Sequence, residues 1–430
     1  MRKTVSIILL LLFTAAGLFA QEDMDENLMF EEDRKPFKLT GEYKNLYVWY
    51  RTESFFDEDT MQYREKNLSS DLNRLRLSPE FQVPGLLLVH ADIDNEVIIS
   101  NYHNTQVFDT MWRPTTYNDL YDPRYEYDDS SKYYYQFKLH RAYAKLTTRH
   151  FTVTAGRQLI RYGSGKLWNP LDIVNPVSPT LIEGAEEVKG TDALRLEWYP
   201  VRSGEISVVY APQRRYDEYE PEYMWGDNSI LISRIKAILG QTDVALLGGT
   251  VPGRYIGGLD VSTVLFDGLL RGSMLYSHPD EYDDFFTAGT GYEYTFKNGL
   301  SLMLEYFYNG NALNHNRELM QAYTQSVLLG MNEERFQVLA NQFLTFNRHY
   351  GGIALGYDIT PLLRGDFFTI TDIEGRGVFI LPTLKYNILQ NMDISTSVMY
   401  GLVGNEAPET SDFKEYEEKP LVFASLQYYF

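Results

Sequence analysis

Apolar and polar residues alternate along most of this chain, in runs that recur from Phe37 to the last residue. In the first run Phe37, Leu39 and Tyr43 alternate with polar residues, and the same period of two returns between Phe286 and Phe296. Side chains of a β-strand point alternately to opposite faces, so each run predicts a strand with one apolar and one polar face. A run of about ten residues is long enough for a tilted strand to cross a bilayer.

The runs predict an all-β fold, a closed antiparallel transmembrane β-barrel of about 18 strands with 16 as the alternative count, since bacterial barrels have an even number. The strands are expected to begin near Phe37, Asp71, Leu87, Lys132, Phe151, Thr191, Glu205, Asn228, Thr242, Tyr255, Leu269, Phe285, Leu300, Arg348, Leu363, Val378, Met392 and Leu421. Short connections such as residues 84–86 alternate with long ones such as residues 52–70 and 159–190. This rhythm is typical of barrels with short periplasmic turns and long extracellular loops, with both termini on the periplasmic side.

Two interruptions of the pattern carry their own predictions. The parity of the apolar residues changes near His140 and Arg141, which predicts a β-bulge there. The long connection after Gly310 contains a segment from Glu318 to Ala340 that is rich in Leu, Met, Gln and Glu and lacks proline. That composition predicts a helix over or inside the mouth of the barrel.

The last ten residues are predicted to close the barrel, because lipid tolerates no unpaired strand edge and the last strand must pair with the first. Their lipid-facing side is expected to be Val422, Ala424, Leu426, Tyr428 and Phe430, with Ser425 and Gln427 facing the lumen. The strand from Phe37 to Tyr50 is the expected partner. This ending resembles the terminal strand of bacterial outer-membrane barrels, and the resemblance implies that the barrel-assembly machinery recognises Phe430.

The start of the chain predicts export. Arg2 and Lys3 precede an apolar run that ends at Leu18, and Ala20 offers a small residue for cleavage, which is typical of a secretory signal peptide over residues 1–20. An N-terminal anchor helix is the alternative. Residues 21–36 are expected to form an acidic periplasmic tail, and residues 37–430 the barrel. The chain has no cysteine, so disulfides and a lipoprotein anchor are excluded.

Composition supports a barrel and argues against one class of partner. The chain has 34 tyrosines and 24 phenylalanines although its mean hydropathy is −0.32, as expected where a lipid face and a lumen face average out. No stretch of 18 apolar residues follows Ala20, so the sequence offers no transmembrane helix. Removing Arg2 and Lys3 changes the formal net charge from −20 to −22, which argues against nucleic acid as a partner.

Motifs for catalysis are weak, and the sequence predicts no enzyme, no catalytic residue, no metal and no cofactor. Residues 163–166 resemble a phosphate-binding loop, but Ile160 and Leu167 occupy positions that need glycine and Ser or Thr. The seven histidines lack the spacing of zinc ligands. Asp92, Asp94 and Glu96 share one face of a strand and could bind a cation, yet a lumen wall paired with arginines is the stronger interpretation.

The segment from Gly156 to Pro176 is rich in glycine and contains Trp168, Asn169-Pro170 and Asn175-Pro176. It resembles a loop of porin-like outer-membrane proteins of the alginate-export-like type, and the resemblance implies that the loop folds inward and narrows the pore. A purely structural anchor is the alternative, and the two roles are compatible. The candidate residues of this constriction loop are Arg157, Arg161, Trp168, Asn169 and Asp172.

Charged residues of both signs are expected to line the lumen. The candidate pore-lining residues are Arg74, Arg76, Asp92, Asp94, Arg141, Lys145, Arg195, Arg234, Glu293 and Glu305. They would either set up a transverse field or form local ion pairs, such as Arg74 and Arg76 with the acids of the next strand, and we favour local pairing. The acidic, tyrosine-rich residues 121–135 and 214–225 suit sugars or cation-bridged lipopolysaccharide, or are ordinary solvated loops.

Together these features predict an outer-membrane porin or channel for passive or selective passage of small polar solutes or saccharides. Outer-membrane lipid and lipopolysaccharide are the expected surroundings. A conduit for polysaccharide export is the close alternative. A barrel enzyme or a surface adhesin is a further alternative, and the sequence supports these two less.

Overall fold

The computed structural model describes residues 36–57, 62–103, 105, 108, 112, 120–129, 133–176, 188, 190–213, 229–280, 283–328, 344–404, 411–413, 416–417 and 420–430. The signal peptide at 1–20, nearly all of the acidic tail and the outer segment at 214–225 lie outside these residues, so those interpretations stay predictions. The described part forms one antiparallel sheet.

The sheet contains strands β1 to β19 in chain order, with one 3₁₀ turn and helix α1 between β14 and β15. Their bounds are β1 Phe37–Asp57, β2 Gln62–Val83, β3 Leu87–Ser100, β4 Arg124–Asp129, β5 Tyr133–Thr147, β6 Phe151–Gln158, β7 Thr191–Val201, β8 Gly204–Pro212, β9 Ser229–Leu239, β10 Thr242–Val251, β11 Arg254–Leu265, β12 Gly268–Pro279, β13 Phe285–Thr295, β14 Ser301–Asn309, the 3₁₀ turn Leu313–His315, α1 Arg317–Leu328, β15 His349–Thr360, β16 Leu363–Asp372, β17 Gly377–Leu389, β18 Met392–Val403 and β19 Leu421–Tyr429.

Eighteen of these strands close a ring, which confirms the predicted antiparallel barrel and its favoured strand count. Each strand pairs with its neighbours in the chain, except that β3 pairs with β5 and β19 returns to β1. Strand β4 stays outside the ring and pairs with the part of β5 that lies beyond the short strand β6. No helix of the described residues is long and apolar enough to span a membrane.

The seam between β1 and β19 has the predicted partners and the predicted faces. Tyr43 lies opposite Tyr428, and Tyr50 lies opposite Leu421. At the end of the seam the backbone N–H of Gly41 donates to the carbonyl of Phe430 at 2.8 Å, and the N–H of Phe430 donates back at 2.9 Å. The final residue therefore takes part in the ladder that closes the ring, as backbone in lipid requires.

The connections divide the barrel into a short-turn end and a long-loop end. Among the short turns, Phe266 and Asp267 both have positive φ, 50° and 60°, which is the geometry of a tight hairpin with two central residues. The connections near Gly253 and Glu374 on the opposite end are short as well, as the sequence indicated. The bulge is confirmed, because Asp92 pairs with Arg141 while the next residue of β3 pairs with Leu139.

Two sequence-based bounds were wrong in part. The connection expected over residues 52–70 is mostly strand, since β1 continues to Asp57 and β2 begins at Gln62. These extensions lack the alternation of the lipid-facing runs, because a strand that projects past the bilayer needs no apolar face. The helix expected from Glu318 is present as α1, and the rest of its predicted range, beyond Leu328, lies outside the described residues.

The outward face of the ring is apolar. Large hydrophobic side chains stand exposed on many neighbouring strands, for instance Leu246 at 57 %, Tyr255 at 60 % and Leu304 at 42 %. A water-soluble protein rarely exposes an apolar area that continues around its whole circumference. Lipid is the medium that such a belt requires.

The seam depends on a glycine at position 41. A Cβ atom there would lie 2.3 Å from Cζ of Phe430, whose ring covers this position. We expect Gly41→Leu to lower the free energy of unfolding by about 1–3 kcal/mol, because the terminal ring is forced from its place. Urea unfolding of the refolded barrel measures the change.

Gly257→Leu is the matched control, since a Cβ on this glycine of β11 would meet nothing within 4 Å. Equal losses of stability in both variants would show that the seam is not sensitive to this contact.

Candidate functional site: the lumen and the loop folded into it

The register of the strands shows which side chains point into the barrel. Residues that pair across a ladder share a face, so Asp260, Ser273, Gly289 and Phe307 form one continuous row over β11 to β14. The loop between β6 and β7 contacts this row, which identifies it as the lumen side. Alternation then gives the inward face of each remaining strand.

All ten candidate pore-lining residues lie on the inward face by this register. They are Arg74 and Arg76 on β2, Asp92 and Asp94 on β3, Arg141 and Lys145 on β5, Arg195 on β7, Arg234 on β9, Glu293 on β13 and Glu305 on β14. Their placement follows from alternation alone.

The loop that leaves the wall after Gln158 enters the lumen, and residues 159–176 of it are described. Strand β6 has only eight residues, so the chain turns inward well before the rim. Gly156 has φ of +118°, and a Cβ there would lie 2.4 Å from the carbonyl oxygen of Ala142. Only glycine suits this position, where the chain begins to leave the sheet.

Two carboxylates of the facing wall hold the loop. Asp260 accepts hydrogen bonds from the backbone N–H of Ser164 at 3.0 Å and from its hydroxyl at 2.8 Å. Glu305 accepts three backbone N–H groups in succession, from Lys166 at 2.8 Å, Leu167 at 2.8 Å and Trp168 at 3.2 Å. Hydrogen bonds to an ionised acceptor are about twice as strong as neutral ones, so these two acids determine where the loop rests.

Apolar contacts also hold the loop against the wall, at a site lined by Phe307, Tyr350, Gly258 and Gly352 that we call the seat of the loop. The indole of Trp168 stacks on Phe307 with ring centroids 5.5 Å apart, and Tyr350 lies 5.9 Å away. Glycines on the inward face leave room for the loop side chains. A Cβ on Gly352 would lie 2.3 Å from Leu167, and one on Gly258 would lie 2.6 Å from Leu171.

The structure places the predicted loop residues in two groups. Trp168 lies in the seat, and the amide of Asn169 donates to the carbonyl of Tyr162, which braces the turn. Arg161 pairs with Asp172 at 2.8 Å, a contact within the loop. Arg157 lies on β6 and not in the loop.

The guanidinium of Arg157 contacts Asp192 of β7 at 2.7 Å beneath the ring of Tyr121. Arg161 and Asp172 thus pair within the loop, and Arg157 pairs with the neighbouring strand. Hydrogen bonds from the loop to the facing wall are accepted by Asp260 and Glu305, beside the apolar contacts of Leu167, Trp168 and Leu171.

Buried apolar side chains fill much of the long-loop half of the lumen, with polar groups such as Arg157, Asp172 and Asp192 buried among them. One buried cluster joins loop residues Ile160, Leu171 and Ile173 to wall residues Val209 and Ile232. A second cluster surrounds Trp168 and includes Tyr102 and Phe413 from other connections of the same end. We call this the apolar layer. It exists because loop segments fold inward, so that apolar side chains of the wall there pack against the loop instead of facing water.

Toward the short-turn end the inward face is charged, and we call it the charged layer. Eight basic side chains there each pair with a carboxylate on the same or the next strand. The pairs are Arg76–Asp94 at 2.6 Å, Lys138–Glu96 at 2.8 Å, Arg195–Glu197 at 2.5 Å, Arg234–Glu205 at 3.3 Å, Lys236–Asp243 at 3.0 Å, Arg271–Glu293 at 3.0 Å, Arg364–Asp366 at 3.0 Å and Lys385–Asp393 at 3.0 Å. The register also sets Arg74 opposite Glu96 and Arg141 opposite Asp92. These contacts are the local pairing that we favoured.

Sequence reasoning missed the apolar layer and the anchoring role of Asp260 and Glu305. A signal for the layer was present, because Val208 and Val209, or Leu246 and Leu247, are apolar at both parities of one strand. A strand with one face in lipid and the other in water needs apolar residues on the lipid face only. No local signal distinguishes the anchors from other acids on the wall, since their role depends on a loop that lies more than 90 residues away in the chain.

No family model matches the sequence, and no curated protein matches it either. Solved structures do match in fold. OccAB3 of Acinetobacter baumannii superposes with a TM-score of 0.54 at 10 % identity, covering 91 % of this chain and 99 % of its own, and OccAB4 of the same organism gives 0.52 at 11 %, covering 93 % and 99 %. The outer membrane protein OpdK of Pseudomonas aeruginosa gives 0.50 at 9 %, covering 91 % and 98 %.

The fold is therefore that of the porin-type β-barrels of outer membranes. Among them, the chain is similar in fold to the Occ and Opd proteins over nearly its full length.

Glu305 is expected to control the position of the loop. Replacing it by Ala removes the acceptor for three backbone N–H groups, of which that of Trp168 is buried, and we expect docking of the loop to weaken by about 2–4 kcal/mol. Limited digestion with trypsin measures this, because Arg161 and Lys166 of the loop become cleavable when it detaches.

The control is Asp243→Asn, which breaks a pair with Lys236 on the neighbouring strand. If the loop of the Glu305 variant stays as resistant to trypsin as that of this control, Glu305 is not the anchor.

Docking of the loop is also expected to depend on pH. Burial raises the pKa of Asp172 to about 7, and the partly exposed Arg161 offsets only part of that cost. Because the docked loop binds this proton more tightly than a free carboxyl does, docking is strongest in acid and weakens as pH rises through about 7. Amide-exchange protection factors for residues 160–175 should therefore be larger at pH 5.5 than at pH 8.

Asp172→Asn should keep the protection nearly independent of pH over this interval, because its side chain carries no charge. A pH dependence that persists unchanged in this variant would assign the effect to another group.

Proposed function

We propose that the protein is an outer-membrane channel for the passive, selective passage of small solutes. The observation that carries the proposal is a closed 18-stranded ring whose lumen is narrowed by a loop anchored at both Asp260 and Glu305. A barrel of this size leaves a lumen wider than its wall side chains can fill. An inward loop then sets which solutes pass.

The similar structures support a channel for small molecules. One of them is a structure of OpdK of Pseudomonas aeruginosa with vanillate, which superposes with a TM-score of 0.50 at 9 % identity. The apolar belt supports a location in a membrane, and outer-membrane lipid with lipopolysaccharide is the surrounding that we propose. Recognition by the assembly machinery fits the terminal strand, because Phe430 ends the seam with its ring on the lipid side.

The alternatives receive less support from the site. A conduit for polysaccharide needs a wide continuous path, whereas loop segments occupy the long-loop half of the lumen here. For an enzyme, the nearest arrangement is Ser78, Asp92 and His90. Asp92 lies between the other two, accepting from Ser78 at 2.7 Å with His90 at 3.1 Å. A nucleophile must contact its base directly, so this order does not activate Ser78.

Single-channel recording in planar bilayers tests the proposal. The folded barrel should give defined conductance steps, and deletion of residues 162–175 should enlarge them, because the loop obstructs the lumen. Heat-modifiable migration on gels verifies that each variant is folded. Where the deletion does not fold, Glu305→Ala serves as the smaller change.

Folded protein that gives no conductance steps would reject the channel. Steps that are unaffected by removal of the loop would leave residues 159–176 as a structural anchor only.

A further inference from the structure

We infer that Tyr350 is a positioning residue that couples the loop of residues 159–176 to a second inward segment, residues 411–413. The inference rests on the proposed channel function and extends it, because a solute would then meet one joint constriction instead of two independent ones. Tyr350 contacts both segments, the first through its ring and the second through its hydroxyl.

Residues 411–413 lie over the inward face of the sheet at the long-loop end. The register continues the lumen row from Tyr350 through Asp372 to Gly377, where β17 begins. A Cβ on Gly377 would lie 2.6 Å from Oγ of Ser411, and one on Gly401 of β18 would clash with the carbonyl oxygen of Phe413. Inward glycines therefore make room for this segment, as other glycines do for the first loop.

The carboxylate of Asp412 ties the second segment to β15 and to the residues just before it. It accepts the backbone N–H of Phe346 at 3.1 Å and the hydroxyl of Tyr350. The same hydroxyl accepts the backbone N–H of Asn347 at 2.9 Å. Hydrogen bonds to an ionised carboxylate are about twice as strong as neutral ones, so Asp412 fixes both the segment and the tyrosine.

The ring of Tyr350 belongs to the seat of the first loop. Its centroid lies 5.9 Å from that of Trp168 and 6.4 Å from that of Phe307. Tyr350 is only 2 % exposed, so water does not readily replace a lost partner. Because the ring and the hydroxyl form one rigid group, a hydroxyl held by Asp412 also fixes the surface on which Trp168 packs.

Detachment of either segment should therefore weaken the docking of the other. Coupling between two sites is reciprocal, so each segment stabilises the other by the same factor. A side chain that both segments share also makes the effects of substitutions non-additive. Solute that enters from the long-loop end would meet an entrance that the two segments narrow together.

Hydrogen exchange of the backbone of residues 164–168 tests the coupling, because these N–H groups report docking of the first loop. Asp412→Ala should lower their protection at least about threefold although it lies in the other segment, since Tyr350 loses its acceptor. Tyr350→Phe keeps the ring and should have an effect of similar size. The double variant should lose no more protection than either single variant.

Tyr292→Phe is the matched control, since its hydroxyl donates to the carbonyl of Leu265 at 3.0 Å at the short-turn end. It should leave the protection of residues 164–168 unchanged. Protection that does not respond to Asp412→Ala would overturn the coupling, and losses that add up in the double variant would overturn the role of Tyr350.

The reverse measurement keeps the test decisive where the Tyr350 variant does not fold. Glu305→Ala releases the first loop and should lower the protection of residues 411–413, because the coupling is reciprocal. Protection there that stays at the unmodified value would contradict the inference. Heat-modifiable migration on gels verifies that each variant is folded.

Single-channel conductance separates this inference from the channel function. Asp412→Ala and Tyr350→Phe should both enlarge the conductance steps, whereas Tyr292→Phe should not. Steps of unchanged size in the first two variants would reject the joint constriction and leave the channel intact. The absence of any step from folded, unmodified protein would reject the channel itself, while the exchange measurement still decides the coupling.

Discussion

The structure depends on one constraint, which is that every backbone group of a strand in lipid must find a partner on a neighbouring strand. A row of hairpins meets this demand everywhere except at its two outer edges, and the pairing of β1 with β19 removes those edges. The chain carries that pairing to its final residue, where Gly41 and Phe430 exchange hydrogen bonds. Once the ring is closed, the strands of the wall have no unpaired edge, and their backbone needs no partner from the interior.

The two halves of the barrel interior differ in the side chains that they contain. In the long-loop half, inward side chains pack against folded loop segments and exclude water. In the other half the same strands present ion pairs, each satisfied by a neighbour. The change from one to the other occurs along single strands, as where Ile232 of β9 is followed two residues later by Arg234. A solute would therefore meet a narrow shape and a polar wall in succession.

The ring could be read from the sequence because its physics is local. Alternation of apolar and polar residues indicates a strand with one face in lipid. This pattern identified the starts of most strands, the faces of β19 and the bulge at His140. Strand β4 was missed because its six residues, which include three acids and two tyrosines, lie beside the ring. A strand in that position has no lipid face and so lacks the alternating pattern. The anchors of the loop were missed for another reason. Whether Glu305 binds a solute, an arginine or a loop depends on contacts between distant parts of the chain, and periodicity does not record those contacts.

The position of the loop in the chain has a consequence for how the molecule is made. Residues 159–176 leave the wall early, but their seat is built from β11, β14 and β15, which follow much later. Hairpins can join the sheet one after another as neighbours in sequence, whereas the seat does not exist until those later strands are in place. Trp168 therefore packs only after β6 and the strands from β11 to β15 have joined one sheet, in whatever order the hairpins form. Its docking and the meeting of the two terminal strands are two steps that require distant parts of the chain to find each other.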